Sequence, residues 1–354
     1  MPPIDRRDFV KGTAGAFAGL AGLRPNLVFG GGRQPEARLR LGFIGVGGRG
    51  MGLLRLALRR DDTEITAVCD IDPEALENSK TLARETRGRE PATYGNGEDD
   101  FRNLVQRDDV DAVIIATPWL WHVPMSVAAM KAGKATAVEV PAAVTIEDCW
   151  ELVQTHEQTG APFQMLENVC YRRDVLAILN MVRRGMFGEL MHCHCGYQHD
   201  LRAIKFQPGA EFGPGSTGEA RWRTEHSIRR NGELYPTHGV GPVGNWLDIN
   251  RGHRFVSLTS TATKSRGLHD YIVAQGGEDH PNASLRFALG DIVTTVIACA
   301  NGETVVVSHD TNLPRPYSLN FRVQGTRGLW MRDNRSLYIE GVSPDPHRWE
   351  DAGP

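Results

Sequence analysis

The sequence has no basic block, no internal repeat and no hydrophobic run long enough to span a membrane. Its 40 lysine and arginine residues are outnumbered by 43 aspartate and glutamate residues, which gives a formal net charge of −3. Nucleic-acid binding needs positive charge clustered opposite the phosphates, so the composition indicates no nucleic-acid partner. With 40% hydrophobic and 23% charged residues, the chain has the composition of a globular protein of about two domains.

Cysteine is sparse, and no zinc motif is present. The six cysteines are scattered, most of them in apolar strand-like runs, so we expect buried thiols and not a disulfide framework. There is no CxxC or HExxH pattern. In "MHCHC" (191–195), alternation along a strand puts Cys193 and Cys195 on one face and His192 and His194 on the other, whereas zinc needs ligands that converge. The sequence therefore predicts no metal site.

Residues 1–36 have the pattern of an export signal followed by a linker. Arg6-Arg7, with Phe9 and Lys11 behind them, precede the mildly apolar "TAGAFAGLAGL" (13–23), which resembles a twin-arginine signal peptide. The alternative is a basic arm or tag. Twin-arginine export generally moves folded proteins, which suits a cofactor loaded before export. The pattern thus predicts a periplasmic or extracellular protein with a tightly bound cofactor.

Residues 37–165 alternate apolar strands with helical segments, which predicts an α/β Rossmann domain with a parallel sheet covered on both faces. Strand Leu39–Ile44 runs into "GVGGRG" (45–50), which opens a helix, and a second strand ends at Asp70. Such glycines let a pyrophosphate approach the N–H groups of the helix, and an aspartate at that place suits the ribose diol of NAD. A tight turn without ligand is the alternative. The cofactor residues that this pattern predicts are Gly45, Gly47, Gly50 and Asp70.

Further polar and aromatic residues follow the later strands of this domain, at the edge where ligands bind in open α/β sheets. They are Trp119, Trp121, His122, Glu139 and Asn168. Aromatic rings there can wall a nicotinamide or a sugar. The alternative is that the tryptophans belong to the core and that His122 caps a helix.

Residues 166–354 predict an α+β domain with a largely antiparallel sheet. We expect a helix near 173–185, a strand over 189–200, a polar loop to about 234 and a helix over 238–252. Six strand-length segments follow, from "SLTSTATKS" and "ASLRFAL" to "SLYIEG". Since one face of such a sheet is half polar and often packs on a second subunit, we expect a homo-oligomer.

The densest chemical stretch of this second domain is "NGELYPTHG" (231–239). A histidine at a helix N-terminus has its cationic form disfavoured, so His238 is expected to accept a proton, and Tyr235 is expected to donate one. A histidine that only caps the helix is the alternative. Tyr197 ends a strand, and Arg223 and Tyr317 lie in predicted loops, where they suit the binding of sugar hydroxyls.

Long stretches resemble glycoside hydrolase family 109, within the glucose–fructose oxidoreductase and inositol dehydrogenase superfamily. They include "PWLWH", "EVPAA", "MLENVCYRRDVLAILNMVRRGMFGEL", "CGYQHDLR", "WRTEHS", "NGELYPTHG" and "LPRPYSLNFRVQGT". The resemblance covers most of residues 40–350 and implies an NAD-dependent α-N-acetylgalactosaminidase. In that mechanism the sugar 3-hydroxyl is oxidised, the acidified C2 proton is removed, the aglycone leaves C1, water adds and the ketone is reduced. The family is an exception to the two-carboxylate scheme of glycosidases.

The resemblance also implies roles for individual residues. Tyr235 and His238 would transfer protons, with Tyr197 and Tyr317 next, and the order of base and acid stays open. The NAD-site residues are Gly48, Arg49, Asp70, Trp119, Trp121, His122, Glu139, Val140 and Asn168. The substrate residues are Tyr197, Arg223, Tyr235, Pro236, Thr237, His238 and Tyr317.

The sequence departs from its relatives at two places. Leu120 stands between the two tryptophans, where the family usually has glutamate, and family members continue past "HRWED", so we expect a truncated second domain. Ordinary dehydrogenases of the superfamily read Glu-Lys-Pro where this chain has Glu139-Val140-Pro141, and their lysine assists the redox chemistry. The valine argues against the first alternative, a sugar dehydrogenase. A non-catalytic sugar-binding protein is the second.

Overall fold

The computed structural model describes residues 38–207 and 218–352. The predicted export signal lies outside these residues. Two sheets organise the described chain, and they confirm the predicted combination of a parallel Rossmann sheet and a mostly antiparallel second sheet. No helix in the described residues is long and apolar enough to cross a membrane.

The first sheet has six parallel strands in the order β3-β2-β1-β4-β5-β6. Its strands are short apolar runs whose side chains form cores with the helices on both faces, as expected for a buried parallel sheet. The strands are β1 (Leu39–Ile44), β2 (Thr63–Cys69), β3 (Ala92–Tyr94), β4 (Ala112–Ile115), β5 (Ala135–Val138) and β6 (Phe163–Met165). The helices are α1 (Gly48–Leu58), α2 (Pro73–Arg87), α3 (Phe101–Val105), α4 (Trp119–Lys131) and α5 (Ile146–Thr159).

Helix α5 begins after Thr145 and ends before Gly160, two residue types that favour the start and the end of a helix. The Asp148 N–H donates to Thr145 Oγ1 over 3.1 Å, which satisfies one donor of the first turn. Gly160 has φ +66° and donates its N–H to the His156 carbonyl, which ends the helix in the left-handed conformation that glycine adopts easily.

The second sheet has eight strands in the order β14-β13-β12-β11-β7-β10-β9-β8, of which β7 and β10 pair in parallel and the other neighbours are antiparallel. The strands are β7 (Leu190–Gln198), β8 (Phe255–Ala262), β9 (Ile292–Cys299), β10 (Thr304–Asp310), β11 (Arg322–Gly325), β12 (Gly328–Met331), β13 (Ser336–Ile339) and β14 (Glu350–Asp351). The helices are α6 (Arg173–Arg183), α7 (Arg202–Lys205), α8 (Ala220–Arg229), α9 (Thr237–Trp246) and α10 (Gly267–Gly276).

Helix α9 lies close to strand β7 because its Gly239 has no side chain at the contact. A Cβ added to Gly239 would lie 2.7 Å from the Gly196 nitrogen of β7. A larger residue at position 239 would force the helix away from the sheet. The close approach brings the start of α9 beside the end of β7, where Tyr197 lies.

Two segments of this second part contradict the sequence prediction. The predicted loop before residue 234 contains α7 and α8, and α8 is fixed by the Glu219–Arg223 ion pair (2.5 Å) and by Thr224, whose hydroxyl donates to the Lys205 carbonyl. The predicted strand "ASLRFAL" (283–289) is not a strand, since its Leu289 N–H donates to the Ser227 carbonyl at the end of α8. Helix α8 was not predicted because its sequence is polar and has no apolar stripe; tertiary contacts stabilise it instead.

The cysteine prediction holds for four residues and fails for two. Cys69, Cys193, Cys195 and Cys299 are buried free thiols, as expected from their apolar strands. Cys149 is exposed on α5, and Cys170 is only partly buried. Along β7 the cysteines point into the core while the two histidines stay half-buried, as the alternation predicts.

Candidate active site

A crevice of about 1380 Å³ runs along the carboxyl ends of β1, β2, β4 and β5. Ligand pockets commonly measure roughly 300–1,000 Å³, so this one has room for more than a single small molecule. Its opposite wall is formed by α8 and the start of α9. The strand ends of the Rossmann sheet and helices of the second part therefore face one space.

The glycine loop after β1 leaves its outer side open. A Cβ at Gly45 (φ +84°) would lie 2.6 Å from the Ala116 carbonyl oxygen, and one at Gly50 would lie 1.9 Å from the Gly45 carbonyl oxygen. Gly47 and Gly48, by contrast, have no atom within 4 Å of an added Cβ. No side chain caps α1, so its first N–H groups remain for an anion.

Asp70 lies at the end of β2 with its carboxylate held against the glycine loop. Oδ2 accepts from the Val46 N–H over 2.7 Å and Oδ1 accepts from the Asp72 N–H over 3.0 Å. Each carboxylate oxygen keeps a further lone pair, because an ionised carboxylate has about four acceptor sites. The orientation is thus fixed, and the group can still accept bonds from two ribose hydroxyls.

Glu139 follows β5 and joins two sides of the crevice. It is 6% exposed, and its Oε1 lies 2.5 Å from Arg49 Nε at the start of α1. Its other oxygen accepts from the Val140 N–H over 3.1 Å. Val140 is 3% exposed and packs in the main apolar cluster, so position 140 offers no proton-transferring group.

The aromatic residues after β4 have different surroundings. Trp119 is buried and stacks on Tyr235, with ring centroids 5.4 Å apart, and the Arg223 guanidinium lies 4.9 Å from the Trp119 ring. Trp121 packs edge-on against Phe101 at 6.3 Å. Trp119 therefore connects the Rossmann part to the second sheet's helices, while Trp121 lines the crevice from the core side.

His122 is a buried residue with both ring nitrogens against backbone oxygens. Nδ1 lies 2.7 Å from the Pro141 carbonyl oxygen and Nε2 2.8 Å from that of Thr117. Burial lowers its pKa, although the two carbonyls favour the charged form. Helix α4 begins at Trp119 after Pro118, so the reading of His122 as an N-cap is wrong. Its ring instead links the loops that follow β4 and β5.

The start of α9 brings a histidine, a tyrosine and a buried carboxylate together. His238 Nδ1 lies 2.7 Å from Glu167 Oε2 and 3.0 Å from Oε1. Glu167 is 8% exposed and also accepts from the Val169 N–H over 2.7 Å. The His238 ring is 5.0 Å from that of Tyr235, and both residues line the crevice. With Nδ1 occupied by the carboxylate, Nε2 is the nitrogen left for a ligand.

Burial disfavours the ionised form of the tyrosines in this group. It raises the pKa of Tyr197 to about 12 and also raises the pKa values of Tyr235 and Tyr317. The Tyr197 ring lies 4.7 Å from that of Tyr235 and 6.2 Å from that of Tyr317, and its hydroxyl is 3.2 Å from His199 Nδ1. At neutral pH all three phenols are therefore hydrogen-bond donors.

The remaining predicted residues lie around this group. Arg223 belongs to α8 and not to a loop, which corrects the prediction, and its guanidinium lies 5.4 Å from the Tyr235 ring. Pro236 precedes α9 and Thr237 begins it. Asn168 is exposed after β6 and lines the crevice. The structure thus brings the predicted cofactor and substrate residues to one region of the molecule.

Comparison with known proteins agrees with this arrangement. Residues 171–354 match the family described as "Glycosyl hydrolase 109, C-terminal domain", and residues 39–166 match "Oxidoreductase family, NAD-binding Rossmann fold". An α-N-acetylgalactosaminidase from Tannerella forsythia is 50% identical over 371 residues, covering 98% of this chain and 79% of the relative. A glycosyl hydrolase family 109 protein from Stenotrophomonas maltophilia is 51% identical over 363 residues, covering 99% and 79%. The chain belongs to glycoside hydrolase family 109.

Solved structures share the fold of this family 109 protein at low sequence identity. An NAD-binding oxidoreductase from Klebsiella pneumoniae has a TM-score of 0.66 at 22% identity and covers 89% of this chain and 78% of its own. The scyllo-inositol dehydrogenase from Lactobacillus casei, solved with NAD(H) and scyllo-inositol, has a TM-score of 0.63 at 16% identity, with 83% and 76% covered.

The residues of this family 109 protein fit NAD. The open side of Gly47 and Gly48, the uncapped start of α1 and the fixed Asp70 carboxylate provide a surface for a pyrophosphate and a ribose. The glycine loop and Asp70, predicted from the sequence as cofactor residues, lie along this surface, whereas Glu167 was not among the predicted residues. The feature that could have indicated Glu167 is its position: a carboxylate at the apolar strand end "PFQMLENV", directly before the predicted Asn168.

Proposed function

We propose that this family 109 protein hydrolyses terminal α-N-acetylgalactosaminides with tightly bound NAD and no net redox change. The observation that carries the proposal is the shared crevice: an NAD-type glycine loop on one wall, and His238 with Tyr235 on the other. The sugar class is taken from the Tannerella forsythia relative. Val140, in the place of a dehydrogenase lysine, cannot transfer a proton, which supports proton transfer by residues of this opposite wall.

NAD would be held by the glycine loop, by Asp70 and by the Arg49–Glu139 pair. When bound, it supplies reversible two-electron oxidation at sugar C3. His238 Nε2 faces away from Glu167 and would accept the proton that leaves the sugar. Glu167 acts through His238, because it keeps the ring in one orientation and one tautomer. The buried phenol of Tyr235 stays protonated and would donate to a developing oxyanion or to the leaving oxygen.

The steps balance without an external oxidant. A ketone at C3 acidifies the hydrogen on C2, and its removal places a double bond between C1 and C2 as the C1–O bond breaks. The leaving oxygen takes up a proton. Water then adds at C1, C2 regains a proton, and the ketone returns to the alcohol. The buried stacking of Trp119 on Tyr235 would keep the donor in place throughout.

An aryl α-N-acetylgalactosaminide tests the proposal. Purified protein should release the aryl alcohol without added NAD, and denatured protein should yield close to one NAD per chain. Activity that requires added cofactor and accumulates NADH would instead identify a sugar dehydrogenase. Binding of the sugar without turnover would identify a non-catalytic protein.

We also propose that the protein forms a homo-oligomer through the open face of the eight-stranded sheet. Cross-strand neighbours on this face are Val296, Val306, His194 and Arg322, and Val296 is exposed. Antiparallel sheets with one uncovered face commonly pack on another subunit. Light scattering should give a multiple of the chain mass, and Val296→Glu should reduce it to one chain. A monomeric unsubstituted protein contradicts this proposal.

Export by the twin-arginine route is a further proposal, supported by Arg6-Arg7 with the apolar run behind them. Cell fractionation should find the protein outside the cytoplasm. The double change Arg6→Lys and Arg7→Lys should retain it inside. Unchanged distribution would show that these residues are not an export signal.

A further inference from the structure

Three metal-ligating side chains meet at one end of the eight-stranded sheet, away from the crevice. They are His253, which precedes β8, Cys299, the last residue of β9, and Glu303, which precedes β10. A ring nitrogen, the thiol sulfur and a carboxylate oxygen all lie within 4.8 Å of one another. Within residues 38–207 and 218–352 this is the one group of three such ligands, and none of its members lines the crevice.

The backbone around this group is fixed by hydrogen bonds. The Cys299 N–H donates to the Glu303 carbonyl over 2.8 Å, which closes the turn between β9 and β10. The Ala300 N–H donates to the Arg254 carbonyl over 3.0 Å and holds the His253 segment beside that turn. The three side chains therefore come from two segments that the sheet already holds in register.

The polar atoms of the group are buried without full satisfaction. The His253 side chain is 5% exposed, and its Nε2 lies 2.9 Å from Glu303 Oε2. Its Nδ1 has no hydrogen-bond partner among the described residues. Cys299 is buried as well. A histidine–glutamate hydrogen bond alone leaves one ring nitrogen of this buried histidine with no polar partner, which is costly.

We propose that His253, Cys299 and Glu303 bind one zinc ion, with water as the fourth ligand. Imidazole, thiolate and carboxylate are the three ligand types that zinc uses in proteins. The charges of a thiolate and a carboxylate balance the two charges of the ion, so the buried site is neutral. Zinc–ligand bonds of about 2.0–2.3 Å put tetrahedral ligand atoms roughly 3.5 Å apart. The three ligand atoms lie within 4.8 Å of one another, so the widest separation must shorten by up to about 1.3 Å, while His253 Nε2 and Glu303 Oε2, now 2.9 Å apart, must separate slightly.

The site ties the turn between β9 and β10 to the start of β8. The sequence alone does not indicate it, because His253 is 46 residues or more from the other two ligands and no spacing motif joins them. This inference is independent of the NAD crevice and of the proposed reaction. It predicts that zinc stabilises the fold, since a ligand that binds only the folded chain raises its stability.

Cobalt(II) tests the site directly. Reduced, chelator-treated full-length protein should bind one equivalent of cobalt with a thiolate-to-cobalt absorption band, and zinc should abolish the band by displacement. Cys299→Ser should remove the band, whereas the matched control Cys149→Ser, an exposed thiol on α5, should retain it. Glu303→Gln should weaken cobalt binding at least about tenfold.

Zinc should also raise the melting temperature of the unsubstituted protein and not that of the Cys299→Ser variant. If the Cys299→Ser variant folds poorly, the Glu303→Gln variant takes its place in this comparison of melting temperatures. Absence of a thiolate band at one equivalent of cobalt overturns the proposal. A band that persists in the Cys299→Ser variant, or disappears in the Cys149→Ser variant, does so too.

Discussion

The Glu167→Gln variant tests whether the buried carboxylate positions His238 for proton transfer. Glutamine has nearly the same shape, so it can keep the bond from the Val169 N–H and one bond from His238 Nδ1. What it loses is the negative charge that lies 2.7 Å and 3.0 Å from that nitrogen. The perturbation is therefore electrostatic and leaves the packing in place.

The size of the effect follows from the class of hydrogen bond. A bond to a charged group contributes about 1.5–3 kcal/mol and a neutral one about 0.5–1.5 kcal/mol, a difference of roughly 1–2 kcal/mol. If that difference is expressed in the transition state, kcat falls about 5- to 30-fold. KM should change little, because Glu167 does not line the crevice.

The assay is steady-state hydrolysis of an aryl α-N-acetylgalactosaminide, combined with NAD content and thermal melting. Glu139→Gln is the matched control, because that carboxylate pairs with Arg49 at the glycine loop instead of with His238. It should lower NAD retention, whereas Glu167→Gln should retain NAD. A Glu167→Gln enzyme with kcat within twofold of the unsubstituted one, or with loss confined to KM or to NAD content, would falsify the positioning role.

Three further predictions concern other parts of the chain. Tyr235→Phe keeps the ring on Trp119 but removes the donor, so kcat should fall by at least about 100-fold with NAD content unchanged, and normal turnover would exclude this phenol as acid. Gly50→Ala should lower the free energy of unfolding by roughly 1–3 kcal/mol and release NAD, because its Cβ would lie 1.9 Å from the Gly45 carbonyl oxygen. Gly52→Ala is the control in the same helix: its Cβ has open space, so thermal melting and NAD content should stay unchanged. Burial lowers the pKa of Lys205 to about 7, so between pH 7 and the usual lysine pKa the unfolded chain binds more protons than the folded one. The free energy of unfolding should therefore rise with pH in this range, by up to about 1.4 kcal/mol per pH unit. Lys205→Met should remove that part of the slope in denaturant titrations, and an unchanged slope contradicts the assignment.

Much of the Rossmann half was predictable because its signals are local. Strand β1 and helix α5 have the bounds that apolar runs and capping residues indicate, and the glycine loop needs no distant partner to be recognised. Parallel strands ending at one edge then place Glu139 and Asn168 at the crevice. Local periodicity and turn chemistry are properties of neighbouring residues, which a sequence displays directly.

The second half was less predictable because its elements depend on distant contacts. Helix α8 has a polar sequence and was expected to be a loop, yet its Trp222 lies 5.2 Å from the Trp119 ring and closes the crevice. The segment "ASLRFAL" has the alternation of a strand but bonds to the end of α8. In both cases tertiary packing overrode the intrinsic preference.

By itself, the sequence determined the fold class, the dinucleotide loop and the residue types of the crevice, and its motifs indicated the family. Only the tertiary structure decided which of these groups meet. It pairs His238 with Glu167, which lies 71 residues earlier, and it assigns both nitrogens of His122 to backbone oxygens. The physical reason is that these pairings are set by how β7, α9 and the strand ends pack, and contacts between residues far apart in the chain leave no spacing pattern in the sequence.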